Sequence, residues 1–150
     1  MAKVWEPERR FAQLLKVEIA VAAAQAELKI IPVEAAEAIA KKGKFSVKEI
    51  DKLEKETKHD VIAFVSNVAK YVGEHGKYVH YGLTSSDVLD TAMSLVFRDA
   101  DEVLNRTLDR LEASLSKITK KHKATVCAGR THGIHAEPTT FGWKLAGYLA

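Results

Sequence analysis

Apolar residues recur every three or four positions over most of the chain, the spacing that lines one face of an α-helix. Phe11, Leu14, Leu15, Ile19, Val21 and Leu28 follow Glu6-Pro7-Glu8. That order predicts a helix opened by Pro7, with acids in its first turn, ending near Lys29 or Ile30. Pro32 opens a shorter, alanine-rich helix to about Lys42, with Gly43 placed as its stop. Ser46-Val47-Lys48-Glu49 has the spacing of a capping box and predicts a helix from Val47 to about Glu56. Thr57-Lys58-His59-Asp60 repeats that spacing, and Val61, Ile62, Phe64, Val65, Val68 and Val72 supply the apolar face of the next helix.

Gly73-Glu74-His75-Gly76 reads as a turn and Lys77 to Gly82 as an aromatic connector carrying His80. Thr84-Ser85-Ser86-Asp87 is a third threonine-to-acid cap, where hydroxyls and free amides converge as anion-binding material. From there Leu89, Met93, Val96, Leu104, Leu111 and Ile118 keep the helical spacing with no glycine or proline before Gly129. A run of that length belongs to a long-helix bundle or coiled coil. The chemistry-rich stretch is Gly129 to Gly142, with Arg130, Thr131, His132, His135 and Glu137 inside it. Glycines allow close backbone approach to a ligand, and histidine exchanges protons near neutral pH. Pro138 fits the first turn of a helix, so the stretch reads as a loop feeding a helix from Thr139 to Ala150. The expected architecture is all-α: an N-terminal helical domain over residues 1–83, then the start of a central bundle over 84–150.

Composition narrows the function classes. The chain has 150 residues, 47% of them hydrophobic, enough for one sizeable core. Twenty-three Lys and Arg against 20 Asp and Glu are interspersed, which gives no basic footprint for nucleic acid. The single cysteine, Cys127, excludes an internal disulfide and a multi-cysteine metal site and suits a reducing cytoplasm. The longest apolar runs fall short of a membrane span, and the first residues lack the core of a signal peptide. The histidines have no zinc-like set of supporting ligands, so neither metal nor organic cofactor is expected.

Three motifs together resemble the adenylosuccinate lyases of the fumarase/aspartase superfamily: Lys58-His59-Asp60-Val61-Ile62-Ala63-Phe64, Val79 through Ala92, and Gly129 through Lys144. The resemblance runs through nearly the whole chain. It implies β-elimination of fumarate from adenylosuccinate, giving AMP, and from the succinocarboxamide intermediate of purine synthesis. His132 matches the family's general acid. His59 and His80 match its other active-site histidines, which contact the substrate phosphate and orient the acid. Thr84, Ser85 and Ser86 match the helix start that binds the fumaryl carboxylate, and Asp60 and Thr131 match further substrate contacts. The family's catalytic base is a serine on a loop in its second half, with no counterpart in residues 1–150, so a piece of a larger homotetrameric enzyme, inactive alone, is the expectation. The implied partners are an anionic nucleotide and further copies of the chain, with no nucleic acid and no membrane. A non-catalytic helical scaffold or oligomerisation module from the same superfamily is the alternative, though a scaffold has no need of His59, His80, Ser85, Ser86 and His132 together.

Overall fold

The computed structural model describes residues 1–149. A 3-10 turn (Ala2–Trp5) precedes α1 (Pro7–Glu27), α2 (Val33–Lys42), α3 (Val47–Thr57) and α4 (Asp60–Val72). A second 3-10 segment (Gly73–Tyr78) leads to α5 (Ser85–Lys121), after which come strands β1 (Val126–Thr131) and β2 (Ile134–Thr140) and a short α6 (Phe141–Ala146). The all-α class holds, with a two-stranded antiparallel hairpin as its one departure among the described residues. The chain divides into two compact units, Met1–Ala100 and Asp101–Ala150, with the division inside α5.

The first unit is built on the predicted apolar faces. Pro7 stands at the start of α1 and Glu8 in its first turn, where a missing N–H and a negative charge are both tolerated. Leu14 from α1, Ile39 from α2, Ile50 from α3, Phe64 and Val68 from α4 and Val88 from α5 meet in one core, each at most 2% exposed. Phe11 stacks on Phe64 with ring centroids 5.7 Å apart and tilts against Phe45 at 5.9 Å. Arg9 Nε and Gln13 Nε2, both on α1, each donate to Asp99 Oδ2 on α5 at 2.7 Å. Burial works against ionisation of Asp99, but the Arg9 and Gln13 bonds and the Arg9 charge outweigh it and hold its carboxyl below the ordinary range.

The cap expected at Ser46 takes another form. Ser46 does precede α3, but its side chain makes no cap bond. Asn67, fully buried on α4, supplies the missing logic: its Oδ1 accepts from Ser46 N at 2.9 Å and its Nδ2 donates to Glu49 Oε2 at 2.8 Å. Lys70 Nζ donates to the same carboxylate oxygen at 3.0 Å. A tertiary partner has therefore taken both groups of the local box, which ties α3 to α4 rather than closing α3 on itself. The box expected at Thr57 is likewise displaced. Thr57 is the last residue of α3, and His59 caps α4.

Glu49 carries a testable pH dependence. Its carboxyl lies below its ordinary value of 4.5, chiefly through the Lys70 bond, against burial and with help from Asn67. A depressed carboxylate contributes stability that is fully present above the unfolded value and lost as pH falls through the folded one. Wild type is therefore expected to lose more melting temperature below pH 4.5 than Glu49→Gln does, with the two curves converging in acid. Parallel curves through that range, measured by thermal denaturation, would remove the role.

The second unit contains the C-terminal part of α5, the hairpin and α6. Here the sequence expectation fails in an instructive way. Pro138 does not open a helix: it lies within β2, opposite Ala128. Proline is tolerated in a two-stranded ribbon because one side of each strand faces no partner. Thr139 pairs with Cys127, and α6 begins at Phe141, where Thr140 Oγ1 accepts from Trp143 N at 3.2 Å. The helix also ends at Ala146. At the far end α5 stops at Lys121, Phe141 N donates to Thr125 O, Gly142 N donates to His122 O at 2.9 Å, and His122 meets the Phe141 ring edge-on. Gly142 is required there, because a Cβ would sit 2.5 Å from Lys123 Cα.

Candidate active site

The candidate residues of the first unit lie at two helix starts and the turn between them. His59 is the N-cap of α4. Its Nδ1 accepts from Ile62 N at 3.3 Å. An imidazole that accepts at Nδ1 carries its proton on Nε2 when neutral, so the exposed nitrogen of His59 is a donor. Asp60 Oδ1 accepts from Val61 N at 2.8 Å, and its Oδ2 accepts from Arg10 Nη2 at 3.0 Å. The first amides of α4 are thus already occupied by the two residues that the motif brings there.

His80 is held differently. It is a non-glycine residue in the left-handed region, at φ 64°, directly before Tyr81 and Gly82. Its backbone N donates to Glu18 Oε2 at 2.9 Å, and its ring Nδ1 lies 2.7 Å from Glu18 Oε1. Gln25 Nε2 donates to Tyr81 O at 2.8 Å, so α1 grips this turn at two consecutive residues. At the start of α5, Thr84 N donates to Asp87 Oδ2 at 2.8 Å, the acid-to-amide half of the predicted box. Ser85 is half-buried and Ser86 exposed, one residue inside the helix start, where amides and hydroxyls face an anion readily.

In the second unit the hairpin dictates the position of the remaining candidates. Thr131 pairs with Ile134, leaving His132 and Gly133 as a two-residue loop. Both have positive φ, 52° and 77°, the signature of a type I′ turn, whose twist matches that of the flanking strands. His132 therefore stands exposed at the tip of a hydrogen-bonded hairpin rather than within an irregular loop. A bulge at Gly129 shifts the register between Ala128 and Arg130, and a Cβ there would meet Glu137 O at 2.6 Å.

The sequence-predicted residues thus fall into two sets: His59, Asp60, His80, Thr84, Ser85 and Ser86 in the first unit, Thr131 and His132 in the second. Among the described residues, His59 and His80 share no hydrogen-bond partner. Glu18 was missed by sequence reading. It stands in the i, i+4 row Leu14, Glu18, Ala22, Ala26 of α1, whose other members are buried and apolar, and it is itself only 3% exposed. A carboxylate in an otherwise apolar helical row is the signal that could have found it, since buried charge is rare unless paired. No group of three or more metal-ligating side chains occurs among the described residues.

A family model described as a lyase matches residues 2–150. Adenylosuccinate lyase from Synechocystis sp. is 48% identical over 150 residues, covering 100% of this chain and 35% of that protein. Adenylosuccinate lyase from Bacillus subtilis is 47% identical over 146 residues, covering 97% of this chain and 34% of that one. Among solved structures, a fumarate lyase from Mesorhizobium sp. BNC1 matches with a TM-score of 0.91 at 31% identity, over 99% of this chain and 36% of that chain. The chain spans about a third of the length of the curated relatives it matches.

Proposed function

Because this chain belongs to the lyase family, we propose that a protein carrying it acts as an adenylosuccinate lyase, releasing fumarate from adenylosuccinate and from the succinocarboxamide intermediate of purine synthesis. The observation that carries the reading is identity of 44–48% to adenylosuccinate lyases along 97–100% of the chain, with all three histidine motifs held on defined turns or caps. In this reading residues 1–83 are the N-terminal domain and residues 84–150 begin the central bundle.

The chemistry needs a base to take the proton beside a carboxylate and an acid to protonate the departing nitrogen. His132 is the general acid, offered from the tip of the hairpin, and Thr131 contacts the substrate beside it. His59 donates from Nε2 toward the phosphate, His80 contributes its ring to the same site, and Asp60, beside His59 at the start of α4, makes a further substrate contact. Thr84, Ser85 and Ser86 receive the fumaryl carboxylate at the positive end of α5. The proton-abstracting base is a serine supplied from outside residues 1–150, and no cofactor takes part.

Further copies of the chain are the natural partner. Met93, Phe97, Leu104, Leu108, Leu111 and Ile118 on α5 are each at least 41% exposed, more apolar surface than one helix leaves unpaired without a partner. The enzyme so assembled works in the cytoplasm. No described helix is long and apolar enough to cross a membrane.

Fumarate release from adenylosuccinate by the full-length protein tests the reading directly; binding without turnover would favour the scaffold alternative. A second test concerns the carboxylate site. Replacing Ser85 and Ser86 together by alanine should weaken substrate binding at least about tenfold while costing less than about 1 kcal/mol of stability, because the Thr84–Asp87 bond still closes the cap. A steep fall in melting temperature with unchanged affinity would make the segment a cap and nothing more.

A further inference from the structure

We propose that Glu18 is a positioning residue for His80: it fixes the left-handed turn at that residue and holds the imidazole in its Nδ1–H form, so that Nε2 is the nitrogen presented to the substrate. The inference rests on the lyase reading above for what His80 does, and on geometry alone for how His80 is held.

Both oxygens of Glu18 are used by one residue. Oε2 accepts from the His80 backbone N–H at 2.9 Å and Oε1 lies 2.7 Å from Nδ1 of the ring. An ionised carboxylate only accepts, so the proton in the second bond sits on Nδ1 and Nε2 keeps its lone pair in the neutral ring. His59 is the opposite case, since its Nδ1 accepts from Ile62 N. His59 and His80 therefore offer different chemistry at Nε2, a donor on His59 and an acceptor on neutral His80, although their side chains are identical. That difference is set by one carboxylate and one helix cap.

The burial of Glu18 argues against a merely solvated contact. The residue is 3% exposed, in a row of α1 otherwise filled by Leu14, Ala22 and Ala26, and a charge in such a place is retained only where its partners are well placed. The partner is also unusual: His80 sits at φ 64°, a conformation costly for a residue with a Cβ, and the bidentate grip on its N–H and ring fixes backbone and side chain together. Gln25 holds the next carbonyl, Tyr81 O, from the same helix.

Glu18→Gln separates positioning from packing. A carboxamide of nearly the same shape has one acceptor oxygen, and the backbone N–H of His80 can only donate, so that oxygen goes to it. The amide NH2 then faces Nδ1, which must become an acceptor, and the ring proton moves to Nε2. In full-length protein labelled with 15N-histidine, neutral His80 is expected to show Nδ1 protonated in wild type and Nε2 protonated in Glu18→Gln. Glu18→Asp, which restores a carboxylate on a shorter arm, is expected to return the wild-type form. Glu18→Gln should retain its melting temperature within a few degrees and lose at least about tenfold in kcat/KM, by analogy with the loss seen when the carboxylate partner of a metal-bound histidine is removed. Glu18→Asp should recover part of that loss.

An Nε2-protonated His80 in wild type would overturn the proposal without need of any variant. So would a Glu18→Gln enzyme whose tautomer is inverted but whose kcat/KM stays within about twofold of wild type. Should wild type release no fumarate from adenylosuccinate, the functional reading fails, and the ring spectra alone decide whether Glu18 sets the form of His80.

Discussion

His132→Asn is expected to leave the fold intact and reduce fumarate release by a factor on the order of 10² or more, the usual scale for a positioned proton donor. The hairpin makes this substitution unusually clean. His132 occupies the first loop position of a type I′ turn at φ 52°, followed by Gly133 at 77°. Asparagine is the side chain that adopts that conformation most readily apart from glycine, and Asn-Gly is the favoured pair for this turn. The backbone at the tip therefore tolerates the change, and melting temperature should hold or rise slightly. What disappears is the group able to give a proton near neutral pH, since a carboxamide cannot. Gly133→Val is the matching control: a β-branched residue at positive φ strains the turn, so activity and stability should fall together. Turnover near the wild-type rate in His132→Asn, measured on the full-length protein, would take His132 out of the acid role.

The same hairpin marks the boundary of what the sequence discloses. The helices from Pro7 to Val72 are legible because each keeps one apolar face at a steady spacing, so that Leu14, Ile39, Ile50 and Phe64 fall into the core where the pattern puts them. The strands are not legible by that rule. Val126 to Thr140 is a two-stranded ribbon with little buried surface, so neither periodicity marks it, and Pro138 carries the misleading suggestion of a helix start. The readable clue was His132-Gly133 between short runs containing valine, threonine and isoleucine, the sequence form of a two-residue hairpin loop.

Local capping rules failed for a different reason. Ser46 and Glu49 have the right spacing, but Asn67, 21 residues later, reaches Ser46 N and the Glu49 carboxylate first. A tertiary bond outranks a local one, and nothing within a four-residue window reports it. Glu18 belongs to the same class. Its role comes from a partner 62 residues away, and only its misplacement in an apolar row betrays it.

The largest stability effect is expected at Phe64. Its side chain is 1% exposed at the centre of the first unit, stacked on Phe11 at 5.7 Å with rings only 13° from parallel, while Phe11 also leans on Phe45. Phe64→Ala removes the α4 ring of that aromatic group and with it the stack on Phe11 that joins α1 to α4. The cost is the lost transfer energy of the ring plus the cavity left where neighbours cannot collapse, about 3–5 kcal/mol for a buried phenylalanine. That is a large share of the roughly 5–15 kcal/mol that holds a typical domain together. The loss should also reach the candidate site, because Phe64 lies four residues beyond Asp60 on the helix that His59 caps, and α1 on its other side carries Glu18 and Gln25. Chemical denaturation should show a midpoint displaced by that amount, and Phe64→Leu, which keeps most of the volume, should recover more than half of it. A Phe64→Ala loss below about 1 kcal/mol would mean that the core relaxes around the gap and that the aromatic group is not what fixes α1 against α4.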